Sequence, residues 1–230
     1  MTGYPRVPAS ELPWLSVAQM READRLAVEE FGIDLLQMME HAGSALAEVV
    51  CRIAPAGPVV VLAGGGNNGG GGLCAARHLA GRGREVHVVM ASDLPGPAAW
   101  HHLHTLRVMG LAPIEEPPDA PVVVDALVGY GLTGPLRGRP AALAAWSRGR
   151  YVVSLDFPSG HGHAGAVVPD VTVTLALPKE GLRSLRPLLL ADLGLPRALW
   201  RRLGIDVGAV FAPDRILEIA DQGAGAGSQP

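Results

Sequence analysis

Apolar residues recur along this chain in two rhythms, and their alternation lays out the elements. Short valine-rich runs fall at 59–62, 86–90, 121–125, 151–156 and 171–177. Each reads as a strand buried on both faces. A run at 206–210 predicts a short sixth strand. Between the runs the period changes to that of a helix. Ser16 stands as N-cap before Val17, Met20, Ala23, Asp24, Ala27 and Val28, and Gly32 stops that helix. Asp34 caps a second, with Leu35, Met38, Met39, Ala42, Ala45, Leu46 and Val49 on its apolar face. Gly43 and Ala42 there leave room for close packing. Leu73, Ala76, Arg77 and Leu79 open a third helix, and further helices are predicted over 97–109 and 141–148. Strands alternating with helices imply a mostly parallel sheet covered on both faces. The expected fold is a three-layer, Rossmann-like α/β domain over 16–222. Residues 1–15 hold three prolines and no periodicity, and read as an extended arm lying on a neighbour. The tail 223–230, GAGAGSQP, is linker-like and expected to be disordered.

The segment 58–80, PVVVLAGGGNNGGGGLCAARHLA, joins a strand to a helix through a glycine cluster. That geometry sets backbone N–H groups and a helix N-terminus against an anion, usually a phosphate. Glycine suits it because it accepts φ > 0 and lets a ligand approach the backbone. Three readings compete. One is a flexible turn. Another is a dinucleotide fingerprint, since Gly64, Gly66 and Gly69 match G-x-G-x-x-G and Asp93 follows the next strand. The third rests on Asn67 and Asn68, whose amides could fix a ribose or ligate a hard cation.

Composition narrows the classes. At 230 residues, 48% apolar and 18% charged, the chain has a full core for one domain. A net charge of −3 argues against non-specific nucleic-acid binding. Cys51, near a helix end, and Cys74, near a helix start, form no disulfide framework or zinc spacing, and both are expected buried. His101, His102 and His104 do not face one point on a helix and are expected on the surface. The N-terminus has no basic segment followed by an apolar one, and no run is long enough to span a bilayer. A cytoplasmic location is the expectation.

In a parallel sheet, ligands sit at the carboxyl ends of the strands. Three predicted ends carry polar, glycine-rich sequence: 64–72, then DALVGYGL from Asp125, then DFPSG from Asp156. Two aspartates that each close a β-branched strand are either turn caps or functional groups.

These segments, in this order, resemble the YjeF N-terminal domain family of NAD(P)H-hydrate epimerases. SVAQMREADRLAVEEFGI and LLQMMEHAG are similar to the family's opening helices. GGGNNGGGG resembles its G-x-G-N-N-G-G-D-G loop, VDALVGYGLTGPLRG its V-D-A-L-F-G-T-G-L segment, DFPSG its D-I-P-S-G, and VTVTLALPKEGL its T-x-T-F-x-x-P-K-x-G-L. The resemblance implies an isomerase acting at C6 of hydrated NADH or NADPH. It implies that Asn67, Asn68, Gly69, Gly70 and Gly71, with Gly129, Tyr130, Gly131, Leu132, Thr133, Gly134 and Pro135, line the nucleotide. It further implies that Asn68, Asp125 and Ser159 hold a potassium ion and that Asp156 meets the substrate near the hydrated ring, where a carboxyl can act as general acid or base and is the expected proton-transfer residue. The proline-rich arm and the apolar first helices offer more nonpolar surface than one sheet face needs, and related proteins often pair, so a homodimer is expected.

The chain also departs from the family pattern. Gly71 replaces the loop aspartate, His41 an asparagine, Tyr130 a threonine and Phe157 an isoleucine. The segment GHGHAG is shorter and carries His161 and His163 in place of acidic residues. Two alternatives therefore stand beside an epimerase: a non-catalytic nucleotide-binding module of the same fold, and a diverged isomerase or cyclase with another small substrate.

Overall fold

Ser16 and Asp34 each open a helix through a reciprocal capping box, with Gln19 and Gln37 reaching back to the cap backbone. The computed structural model describes residues 2–132 and 134–221. In chain order it contains β1 (Arg6–Pro8), α1 (Val17–Glu29), α2 (Leu35–Ile53), β2 (Val59–Ala63), α3 (Asn67–Gly81), β3 (Val86–Met90), α4 (Pro97–Val108) and β4 (Val122–Ala126). There follow α5 (Gly138–Trp146), β5 (Tyr151–Leu155), β6 (Val171–Leu175), β7 (Leu188–Ala191), α6 (Arg197–Arg202) and β8 (Ile216–Ala220). The expected tail, 223–230, lies outside the described residues.

The eight strands form one sheet in the order β1-β8-β7-β6-β5-β4-β2-β3. Every neighbouring pair is parallel except β7 with β8. The strand period of two assigns the faces. Val59, Val61 and Ala63 of β2 pack with α2, α3 and α4, whereas Val60 and Leu62 pack with Leu143 and Ala144 of α5. The result is the three-layer arrangement the pattern implies. Gly43 fits between α2 and α3, since a Cβ there would lie 2.6 Å from Cys74 Sγ.

Three expectations are corrected here. The run 206–210 is a turn, not a strand. The Asp206 carboxylate accepts from Gly208 N at 3.0 Å, and this Asx-turn overrides the apolar pattern. The last strands are instead β7 and β8, and β7 is a leucine run without the β-branching that marks the others. The arm expected to stand outside the domain contributes to its sheet, because Arg6–Pro8 pairs with β8 as the sheet's edge. Cys51 is exposed and only Cys74 is buried; Cys74 lies inside α3, not at its start.

Candidate active site

The chain leaves β2 for β3 on one side and returns to β4 on the other, so β2 and β4 flank a topological switch point. A cleft of about 600 Å³ opens there, of a size suited to a small-molecule ligand. Residues 64–66 after β2, 127–131 after β4, and Leu155 with Asp156 form its base, while α1 and α2 contribute Met20, Asp24, Met38 and Met39.

The glycine cluster is mostly helix. Because α3 starts at Asn67, only residues 64–66 remain as loop. Close approach, not positive φ, explains the glycines: none in 64–72 is left-handed. A Cβ on Gly64 would lie 1.9 Å from Leu127 O, and one on Gly69 would lie 1.9 Å from Gly64 O. These contacts press the start of α3 against both strand ends. Gly66 caps the helix without a side chain, and a Cβ there would meet nothing within 4 Å. The first-turn N–H groups therefore stand at the cleft, an arrangement that can receive an anion.

Of the residues chosen from the sequence, Asn67, Asn68, Gly71, Gly129, Tyr130, Gly131 and Asp156 line the cleft. Gly69 and Gly70 are buried in helix packing, Gly70 with its Cβ position 3.0 Å from the Met39 thioether. Leu132, Gly134 and Pro135 follow on the loop but do not line the cleft. Thr133 lies outside the described residues. A Cβ on Gly71 would approach only Leu155 Cδ2, at 2.8 Å, so leucine occupies the space beside the missing carboxylate.

Asp125 and Ser159 meet directly beneath the cleft. Ser159 Oγ donates to Asp125 Oδ1 at 2.5 Å, and Ser159 N and Ser154 Oγ donate to Oδ2, each at 2.8 Å. Ser159 Oγ also accepts from Val128 N at 2.9 Å, which fixes the loop after β4. Asn68 reaches the same loop. Its Oδ1 is 3.2 Å from the Cβ position of Gly129, and its Nδ2 is buried without a partner among the described residues. Burial pushes the Asp125 carboxyl up, against the hydrogen bonds from Ser159 and Ser154. No cationic side chain pairs with it among the described residues. A fully buried carboxylate without a countercharge, with the Asn68 amide oxygen turned to the same loop, fits a hard cation.

Asp156 follows β5 in a left-handed conformation, φ +60°. The strand ends there, and the turn directs a buried carboxylate toward the cleft. Lys179 Nζ donates to Asp156 Oδ1 at 2.6 Å, to Leu175 O at 2.7 Å and to Thr174 Oγ1 at 3.3 Å. All three ammonium protons are thus engaged. No donor reaches Asp156 Oδ2 among the described residues. Lys179 lies in the segment VTVTLALPKEGL, and the family resemblance alone implies no role for it. One signal marks it: it is the only lysine among the chain's 19 lysine and arginine residues. A compact ammonium with three donors fits this pocket, and a planar guanidinium does not.

The backbone of Lys179 also positions α1. Leu15 N donates to Pro178 O at 2.8 Å, and Glu180 N donates to Leu15 O at 2.9 Å. This bridge anchors the start of α1 beside the Asp156–Lys179 pair. It brings Asp24, another residue without an assigned role in the sequence, to the cleft. There Tyr130 Oη donates to Asp24 Oδ2 at 2.5 Å. The available signal was position: Asp24 falls on the apolar stripe of Met20, Ala23 and Ala27.

Against expectation, His102 is buried, and its Nε2 has no partner among the described residues; of the three, only His101 and His104 are on the surface. Glu40, Cys74 and His78 converge between α2 and α3, a grouping that spacing did not suggest. Arg77 holds this cluster closed by donating to Glu40, with Nη2 3.6 Å from Cys74 Sγ. Burial pushes the Cys74 thiol up to about 12, unlike a metal-binding thiolate. His161 is tied to Gly181 O at 2.8 Å.

The family model described as YjeF-related protein N-terminus matches residues 35–181. An NAD(P)H-hydrate epimerase of Dehalogenimonas lykanthroporepellens is 41% identical over 210 residues, covering 83% of this chain and 86% of that protein. An NAD(P)H-hydrate epimerase of Rhodopirellula baltica is 34% identical, over 77% of this chain and 80% of that protein. Among solved structures, the crystal structure of yeast ynu0, YNL200c, has a TM-score of 0.79 at 26% identity. That match covers 90% of this chain and 100% of that one.

Proposed function

Because the chain belongs to the YjeF-related protein N-terminus family, we propose that it is an NAD(P)H-hydrate epimerase, an isomerase that interconverts the C6 epimers of hydrated nicotinamide nucleotides. One observation carries the proposal beyond family membership. Asp156 sits at a switch-point cleft with one carboxylate oxygen held by Lys179 and Thr174 and the other without a donor. A carboxylate so fixed can accept or return a proton at a ring bound above it.

The α3 N-terminus and Asn67 would receive the phosphates, and the apolar wall of Met20, Met38 and Met39 would cover the rings. Potassium belongs to the same proposal, with Asn68, Asp125 and Ser159 as its ligands. When bound, it would supply positive charge against a pyrophosphate and to the unpaired Asp125 carboxylate. A homodimer is proposed on the family resemblance, and light scattering at micromolar concentration tests it. No helix among the described residues is long and apolar enough to cross a membrane. A cytoplasmic location is proposed, to be tested by cell fractionation.

The bare Gly71, with Leu155 beside it, favours a second reading: a module that binds the nucleotide without turning it over. Chromatography of purified NADHX epimers separates the two. An epimerase equilibrates the R and S forms faster than the spontaneous rate, and Gly71→Asp raises that rate. A module leaves both proteins at the spontaneous rate while still binding nucleotide.

A further inference from the structure

Inverting a hydroxyl-bearing carbon needs two proton-handling groups, one for the departing oxygen and one for the oxygen that returns. Asp156 is one carboxyl in the cleft, and Asp24 is the other. They come from different elements, the end of β5 and the middle of α1. Their partners differ in kind. A lysine ammonium holds Asp156 at 2.6 Å, whereas Asp24 is held by a neutral phenol, Tyr130 Oη, at 2.5 Å. Tyr130 stands where the family usually has threonine, so this contact belongs to this chain.

We propose that Asp24, oriented by Tyr130, is the general acid of the site, working opposite Asp156 as the base. The inference rests on the epimerase function proposed above. The hydrated ring carries its hydroxyl on C6, next to the ring nitrogen. Asp24 gives its proton to that hydroxyl as the C6–O bond breaks, and the bonding pair leaves with the oxygen as water. The nitrogen lone pair closes to C6 and forms an iminium. Water then adds to the opposite face through an oxygen lone pair, Asp156 takes its proton, and the nitrogen regains its pair. No oxidant or reductant is needed. One proton has passed from Asp24 to Asp156, and exchange with solvent resets both.

Burial raises the Asp24 carboxyl, and the nearby Asp156 adds to this. The Tyr130 hydrogen bond and Lys179 act in the opposite direction. Arg21, on the same helix, stacks over the Tyr130 ring at 5.9 Å. The net upward shift favours the protonated acid the step requires.

The test measures epimer interconversion against pH for wild type, Asp24→Asn and Tyr130→Phe, with nucleotide binding followed by calorimetry using NADP⁺. Asp24→Asn should lose about 10²–10⁴-fold in rate with little change in binding. Tyr130→Phe removes a hydrogen bond that lowers the Asp24 pKa, so the alkaline limb of the profile should move to higher pH. A purely structural role for Tyr130 would leave that limb in place. If Asp24→Asn does not fold, the Tyr130→Phe profile decides alone. An active wild type with an active Asp24→Asn, or with an unmoved limb in Tyr130→Phe, overturns the inference and leaves the epimerase function standing. A wild type at the spontaneous rate overturns both.

Discussion

Replacing Lys179 should damage this protein more than replacing any surface arginine, and the site geometry sets the size of the effect. The side chains of Lys179 and Asp156 are 1% and 5% exposed. Lys179→Met leaves the carboxylate with a single donor, the Thr174 hydroxyl at 3.1 Å. Stranding one half of a buried pair costs about 3–5 kcal/mol. Asp156→Asn is gentler for two reasons. Asparagine tolerates the left-handed φ of +60° that this position requires. Its amide oxygen can also still accept from Nζ, so the expected cost is about 1–3 kcal/mol. The double variant buries neither charge, so it should be more stable than the sum of the single losses, by about 0.5–3 kcal/mol. Catalysis should divide differently. Asp156→Asn keeps the shape but cannot accept a proton, and should lose about 10²–10⁴-fold in interconversion rate. Urea unfolding followed by circular dichroism gives the stabilities, and chromatography of NADHX epimers gives the rates. Lys179→Met within about 0.5 kcal/mol of wild type, the range of a neutral surface change, would refute the reasoning. So would a folded Asp156→Asn with the wild-type rate.

The glycines make a second prediction. Gly66→Val should fold normally and lose nucleotide affinity, because its Cβ enters open space at the cradle; Gly69→Val should fail to fold, because its Cβ meets Gly64 O at 1.9 Å. Equal melting temperatures for the two variants would contradict this. Potassium chloride should raise the melting temperature above that in sodium or choline chloride at equal ionic strength, as binding to the folded state alone requires. Asp125→Asn should erase that increment, and identical melting in all three salts would remove the cation from the proposal. A fourth prediction concerns acid. Desolvation opposes ionisation of Glu40, but hydrogen bonds from Arg77, Cys74 and His78 outweigh it and hold the carboxyl at about 2, below the ordinary 4.5. A depressed carboxyl stabilises the fold above its unfolded value and loses that contribution as pH falls through the folded one. The stability gap between wild type and Glu40→Gln should therefore close between about 4.5 and about 2, and a gap that stays constant across this window would count against the cluster.

Much of this protein was legible in one dimension because its signals are local. Valine runs marked β2 to β6, Ser16 and Asp34 marked the helix starts, and alternation implied a parallel sheet. Asp125, Asp156 and Ser159 stood out because each sits beside a strand end, where a short motif is read without tertiary knowledge. Other features depended on distant partners. The strand β7 is an ordinary leucine run until β6 and β8 flank it, and β1 is a proline-rich arm until β8 supplies a ladder. The glycines after Asn68 look like a loop because the atoms that crowd their Cβ positions belong to Gly64, Met39, Leu155 and Ala126, brought close only by the packing of α3 on the sheet and α2. Asp24 and Lys179 are 155 positions apart in sequence. They share a cleft because Leu15 pairs with the Lys179 backbone, a long-range contact that no periodicity encodes. Local sequence determines which elements form, since capping and side-chain period act over a few residues. Which charged groups face one another follows from strand order and crossovers, and these exist only once the sheet has closed.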